Sequence, residues 1–191
     1  MRNKLISRRA GAAASLLVAT AILSAPPPVA RQNQTVPTDP EAKLAALGIQ
    51  LPAPTAPLAN YVKAVRTGNL VFLAGHGPAK ASGDFITGTV GRDLTIKQGY
   101  DAARLTAVGL LSTLKAEIGD LRKVKRIVRL FGLVNAVDGF SEHPKVVDGA
   151  SDLLVEVFGE RGRHARAAVG AASLPFNIAV EIEMVVEVAG E

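Results

Sequence analysis

No cysteine occurs anywhere in the 191 residues, which excludes disulfides, thiol nucleophiles and thiolate metal sites. Other chemistries are missing with it. None of the serines lies in a G-x-S-x-G elbow, so the sequence does not read as a serine hydrolase of that type. The glycine-rich stretch GHGPAKASGD, from Gly75 to Asp84, matches neither a Walker loop nor a dinucleotide-binding turn and reads as a plain turn. His76, His143 and His164 lack metal-ligand spacing and read as loop or surface residues, with His76 placed to border a pocket beside Gly75. There is no internal repeat. The one long apolar run near the N-terminus, Ala10 to Leu23, falls short of the roughly 20 residues that a membrane-spanning helix needs.

Net positive charge is scarcer than it first looks. The formal charge is +5, but Arg2, Lys4, Arg8 and Arg9 stand in an acid-free leader ahead of that apolar run. This is the layout of an export signal, its apolar run closed by Pro26-Pro27-Pro28 and its cleavage expected near Ala30. Removing those four from the 22 Lys and Arg residues leaves 18 against 17 acidic ones, so the mature chain is close to neutral. A nucleic-acid partner thereby loses its main support. The remaining cluster of Arg122, Lys123, Lys125, Arg126 and Arg129 reads as a solvated strand face. The expectation is a bacterial protein that is periplasmic or secreted, with a signal over residues 1–30 and no membrane association after cleavage. A Pro/Ala-rich arm or linker follows over 31–58, where Glu41 to Leu47 has room for two helical turns, and a folded domain occupies 59–191.

Within that domain the hydrophobic period alternates between that of a strand and that of a helix. Tyr61 to Arg66 and Leu70 to Ala74 read as strands joined by the turn Thr67-Gly68-Asn69. From Thr95, small and apolar residues at Ala103, Ala107, Leu110, Leu111, Leu114 and Ile118 mark one buried helix face, closed by Gly119. Val124 to Val134 reads as a long strand. A second helix runs from Pro144 to Phe158 with Val147, Ala150, Leu154, Val157 and Phe158 on one face and Gly159 as its stop. Two last strands flank Leu174-Pro175. The order β-β-α-β-α-β-β predicts an α+β layer, one sheet with both helices on one face.

In the last strand Val180, Ile182, Met184, Val186 and Val188 alternate with Glu181, Glu183 and Glu187, so the glutamates lie on the face away from the helices. Arg166, Ala168 and Gly170 share one side of the strand before it. A hairpin across Leu174-Pro175 would set Arg166 beside one of these glutamates. Such a contact is either a cross-strand salt bridge, worth under about 1 kcal/mol when exposed, or the frame of a bidentate carboxylate receptor built on an arginine among small neighbours. Pattern alone leaves both open.

Three pieces of the chain carry a resemblance: Tyr61 followed by TGNLVFLAGHGP (Thr67 to Pro78), Phe140 leading into the second helix, and ARAAVGAASLPFNIAVEIE (Ala165 to Glu183). Together they resemble the RidA family, also called YjgF or L-PSP, whose members deaminate reactive enamines and imines. The resemblance implies a chorismate-mutase-like fold and a homotrimer with ligand sites in the clefts between subunits. It also implies hydrolysis of 2-imino or enamine acids to 2-keto acids and ammonia, with no cofactor and no metal. A noncatalytic trimeric binder of small carboxylates is the alternative, and an endoribonuclease fits less well, since the sequence offers no His-His or His-Lys acid-base pair. By the same resemblance Arg166 grips the substrate carboxylate and Glu181 places or activates the attacking water. Tyr61 and the backbone at Gly75 and Ala168 line the pocket. The chain departs from the family at Ala74, where many deaminating members carry a hydroxyl, at Ala168, in place of a frequent cysteine, and at Asp148, where asparagine is common. A carboxylate at 148 on the pocket rim can compete with an anionic substrate for Arg166.

Overall fold

The computed structural model describes residues 39–57 and 59–190. The expected export signal and the first part of the arm lie outside the described residues. The elements are α1 (Pro40–Ala46), β1 (Ala64–Thr67), β2 (Leu70–His76), α2 (Ile96–Ile118), β3 (Val124–Asn135), α3 (His143–Phe158), β4 (Ala165–Ala171) and β5 (Val180–Val188). The two long helices and five strands match the order read from the sequence, and α1 forms where two helical turns were expected.

Local chemistry explains the boundaries. Thr95 caps α2 in a reciprocal box: its hydroxyl accepts from the Gln98 amide, and the Gln98 side chain accepts from the Thr95 amide. Gly119 ends that helix at φ 79°, a left-handed conformation that favours glycine. Pro144 sits in the first turn of α3, where its missing N–H is no loss, and Gly159 stops the helix at φ 60°.

The strands form one sheet in the order β1-β2-β5-β3-β4, antiparallel except for the parallel pair β3–β4. Val180, Ile182, Met184, Val186 and Val188 are all buried on one face, against Leu110, Leu111, Leu114, Val147 and Leu154 of the helices. The helix layer is thickened by the arm. Leu44 of α1 is buried in the same core, Glu41 pairs with Lys115 of α2 at 2.8 Å, and Ser112 donates to the Pro52 carbonyl. Among the described residues nothing covers the opposite sheet face: Val65, Phe72 and Val169 lie there with 53, 45 and 41% of their surface exposed.

One expectation about topology is corrected. β4 and β5 do not form a hairpin, although they flank Leu174-Pro175. β4 runs parallel to β3, and β5 inserts on β3's other side, so β3 separates them. A parallel neighbour requires a crossover, which α3 supplies.

Candidate functional site

Register decides which way each candidate points. Arg166 lies beside Leu130, which lies beside Met184, and both partners are buried against the helices. Arg166, Ala168 and Gly170 therefore face the helix layer from the edge strand. Glu181 pairs with Leu133 and points to the uncovered face. Arg166 and Glu181 are thus on opposite faces of the sheet, two strands apart, and the structure does not bring them together within one chain.

Arg166 meets α3 instead. Its Nη1 donates to Asp148 Oδ1 at 2.7 Å and to Ser151 Oγ at 2.9 Å. Asp148 and Ser151 are three residues apart in α3 and so share a helix face, a spacing visible in the sequence itself. The chain of contacts continues inward. His164 Nδ1–H donates to the Gly162 carbonyl at 2.6 Å, which leaves Nε2 to accept from the Ser151 hydroxyl at 3.1 Å. Burial, aided by the Arg166 charge and opposed by the Gly162 hydrogen bond, lowers the His164 pKa and keeps the ring neutral. Arg166 Nε and Nη2 have no hydrogen-bond partner among the described residues. Ala168, the next residue on this face, packs against the core.

The second group of candidates lies between β2 and β5. A Cβ at position 75 would strike the Glu181 carboxyl, with Cδ at 2.9 Å and Oε1 nearer still, so glycine there makes room for that side chain to lie across the strand. Glu181 is half-buried, and desolvation first, then the Glu183 charge, raises its pKa above the ordinary 4.5. Tyr61 is 45% exposed just before β1, and its neighbour Val62 lines a groove of about 310 Å³ with Val65, Phe72, Arg129, Phe131 and Glu183. The guanidinium of Arg129 lies 5.2 Å from the Phe131 ring centre in this groove.

His76 is neither a loop nor a surface residue: it ends β2 and is buried. A bulge between Leu73 and His76, with Ala74 and Gly75 on β2 opposite the single Glu183 on β5, turns His76 to the helix side. It is 8% exposed, its Nδ1–H donates to the Ala74 carbonyl at 2.7 Å, and its Nε2 accepts from Thr113 Oγ1 at 2.8 Å. Desolvation lowers its pKa, against the Ala74 hydrogen bond and with a smaller push from Lys63. Strict alternation would have turned it outward, so the bulge is what the sequence reading missed. His164 is likewise half-buried rather than a free surface group, while His143 opens α3 with its ring 5.0 Å from that of Phe140, edge to face.

One five-stranded sheet with its helices on a single face, a buried imidazole behind a bulged strand and a carboxyl over a glycine define an α+β protein of the chorismate-mutase-like class. The family model described as "YjgF/chorismate_mutase-like, putative endoribonuclease" matches residues 41–188. Protein TCP17 of Trypanosoma cruzi is 47% identical over 147 residues, 76% of this chain and 92% of that protein. A solved structure of a protein with unknown function from Agrobacterium tumefaciens is 46% identical, with a TM-score of 0.72 over 78% of this chain and 93% of the other. Another, from Shewanella oneidensis and carrying the same endoribonuclease label, is 37% identical with a TM-score of 0.76, covering 78% and 99%. The chain belongs to the YjgF/RidA family.

Proposed function

We propose that the protein hydrolyses 2-imino and enamine acids to 2-keto acids and ammonia in clefts shared between copies of the chain. The observation that carries this reading is the pair of incomplete half-sites on one protomer. An arginine on an edge strand offers an unpaired donor edge, and a carboxyl of raised pKa lies on the uncovered face toward the other side of the sheet. Each lacks what the other holds, and a neighbouring copy can supply it.

In the reaction Arg166 holds the substrate carboxylate, which places the adjacent C=N carbon. Water adds to that carbon and Glu181 takes its proton. The nitrogen of the resulting carbinolamine is protonated, the C–N bond breaks, and ammonia leaves as the C=O forms. Imine and water become keto acid and ammonia, with no change of oxidation state and no need for a cofactor or metal. A Glu181 pKa above the ordinary carboxylate range suits the task, because the group that accepts a proton from water must later return it. The export-signal layout of residues 1–30 supports a site of action outside the bacterial cytosol.

The assembly expected is a homotrimer, for which the apolar side chains of Val65, Phe72 and Val169 on the uncovered face provide the contact surface. Sedimentation equilibrium should return three copies, and a monomer at micromolar concentration would defeat the shared-cleft reading.

The activity is tested with 2-iminopropanoate generated in situ from alanine by an amino-acid oxidase. The wild-type protein should accelerate keto-acid formation well beyond the spontaneous rate. Glu181→Gln should lower kcat by about a hundredfold. Because the Glu181 pKa is raised, wild-type activity should fall as pH drops through a value above 4.5, and the Gln variant should lose that acid limb. Unchanged turnover in Glu181→Gln removes this residue from the mechanism. Binding of carboxylates that needs Arg166 but yields no product would identify a binder instead. The endoribonuclease label of the relatives would gain support only from RNA cleavage that survives Arg166→Ala in a nuclease-free preparation.

A further inference from the structure

Arg166 and Asp148 are each half-used. The guanidinium spends Nη1 on Asp148 Oδ1 and Ser151 Oγ, leaving Nε and Nη2 without a partner among the described residues. Asp148 accepts through Oδ1 alone, and its Oδ2 has no partner among the described residues. The two side chains are 24 and 42% exposed, so both unpaired edges are within reach of a ligand. A donor edge with positive charge therefore sits beside an acceptor oxygen with negative charge, at the edge of the sheet.

Such a pair treats two kinds of anion differently. A plain carboxylate attracted to the guanidinium is also pressed toward Asp148, and the like charges repel. A ligand with a cationic N–H group one carbon from its carboxylate meets a complement for each charge. We infer that Asp148 is a specificity-determining residue which, beside Arg166, selects zwitterionic 2-iminium or 2-amino carboxylates over plain carboxylates. The repulsive element does as much of the selecting as the attractive one.

The inference rests on the reading of Arg166 as the carboxylate clamp, and it has a consequence for turnover. The protonated imine carries its positive charge on the nitrogen that faces Asp148. Hydrolysis removes that nitrogen as ammonia, and the keto acid left behind is a plain carboxylate. Its contact with Asp148 changes from attraction to repulsion, which favours release of the product over rebinding.

The test compares L-alanine with propanoate, which share a carbon skeleton and differ in the 2-ammonium group. Their binding to the full-length protein is measured by isothermal titration calorimetry. Asp148→Asn is nearly isosteric and keeps an oxygen for Arg166 Nη1, and a thermal melt checks that the variant is folded. The wild type should bind L-alanine more tightly. In Asp148→Asn alanine should weaken and propanoate tighten, changing the ratio of the two affinities by about tenfold. A variant that shifts both ligands equally, or a wild type that prefers propanoate, overturns the role given to Asp148. If Arg166→Ala leaves binding of both ligands unchanged, or the wild type binds neither, the clamp itself is lost. Loss of both ligands in Arg166→Ala together with equal shifts in Asp148→Asn would retain the clamp and reject only the selection of zwitterions.

Discussion

Arg166→Ala is expected to remove saturable turnover of imino acids, with kcat/KM falling on the order of 10³-fold, while the protein stays folded. The two halves of that expectation come from different surroundings of one side chain. Toward its own chain the guanidinium makes a single ion pair with Asp148, which is 42% exposed, and one hydrogen bond to Ser151. A partly solvated pair of this kind contributes no more than about 1 kcal/mol, and the carboxylate left behind stays accessible to water. The melting temperature should therefore move by only a few degrees. In the proposed reaction it also supplies the fork that fixes the substrate carboxylate, and alanine offers nothing in its place. Arg166→Lys keeps the charge and loses the fork, so it should recover part of the affinity and little of the orientation. Wild-type turnover in Arg166→Ala would end the assignment of this residue, whatever its effect on stability.

The sequence made the elements legible because each carries its own period. The apolar faces of the two long helices, from Ala103 to Ile118 and from Val147 to Phe158, are buried as their spacing indicates. The alternation in Val180 to Val188 likewise sorts the inward Val180, Ile182, Met184, Val186 and Val188 from the outward Glu181, Glu183 and Glu187, with Val185 the one apolar residue on the outer face. Neighbours were a different matter. Alternation says which face a residue takes and nothing of which strand lies beside it, so Leu174-Pro175 read as a hairpin although β4 turns away to pair with β3. A signal for the parallel pair did exist, since a helix of 16 residues between two strands is a crossover length. Its use would have placed Arg166 beside α3 and Asp148 rather than beside the glutamates.

The site was legible in the same uneven way. Gly75 and Glu181 lie together, with the carboxyl in the space that a Cβ on residue 75 would take. His76 was misplaced because a bulge cannot be read from hydrophobic pattern when its residues are Ala74 and Gly75, which suit either face. Arg166 and Asp148 lie within contact, yet Arg166 and Glu181 do not. The last separation is a property of the sheet, so the joint role proposed for these two residues requires a second copy of the chain.

The largest effect on stability is expected where the two long helices cross. Gly149→Ala should destabilise the protein by about 3 kcal/mol, lowering the melting temperature by roughly 6–12 °C. Helix propensity alone argues the other way, since alanine is favoured over glycine inside a helix by about 1 kcal/mol. Packing decides the sign. A Cβ at residue 149 would collide with the Tyr100 carbonyl oxygen and come within 2.8 Å of its carbon and 3.1 Å of the Arg104 nitrogen. These are backbone atoms of α2, so relief requires the helices to part rather than a side chain to turn. Separation would loosen contacts of Leu110, Leu153 and Leu154, all fully buried. Gly109→Ala in α2 is the matched control, because its nearest new neighbour is His76 Cδ2 at 3.7 Å, an ordinary contact. That change should raise stability by up to about 1 kcal/mol through propensity. Thermal melts of the two variants thus carry opposite signs, and a Gly149→Ala protein as stable as Gly109→Ala would show that the helices do not cross at the closeness described.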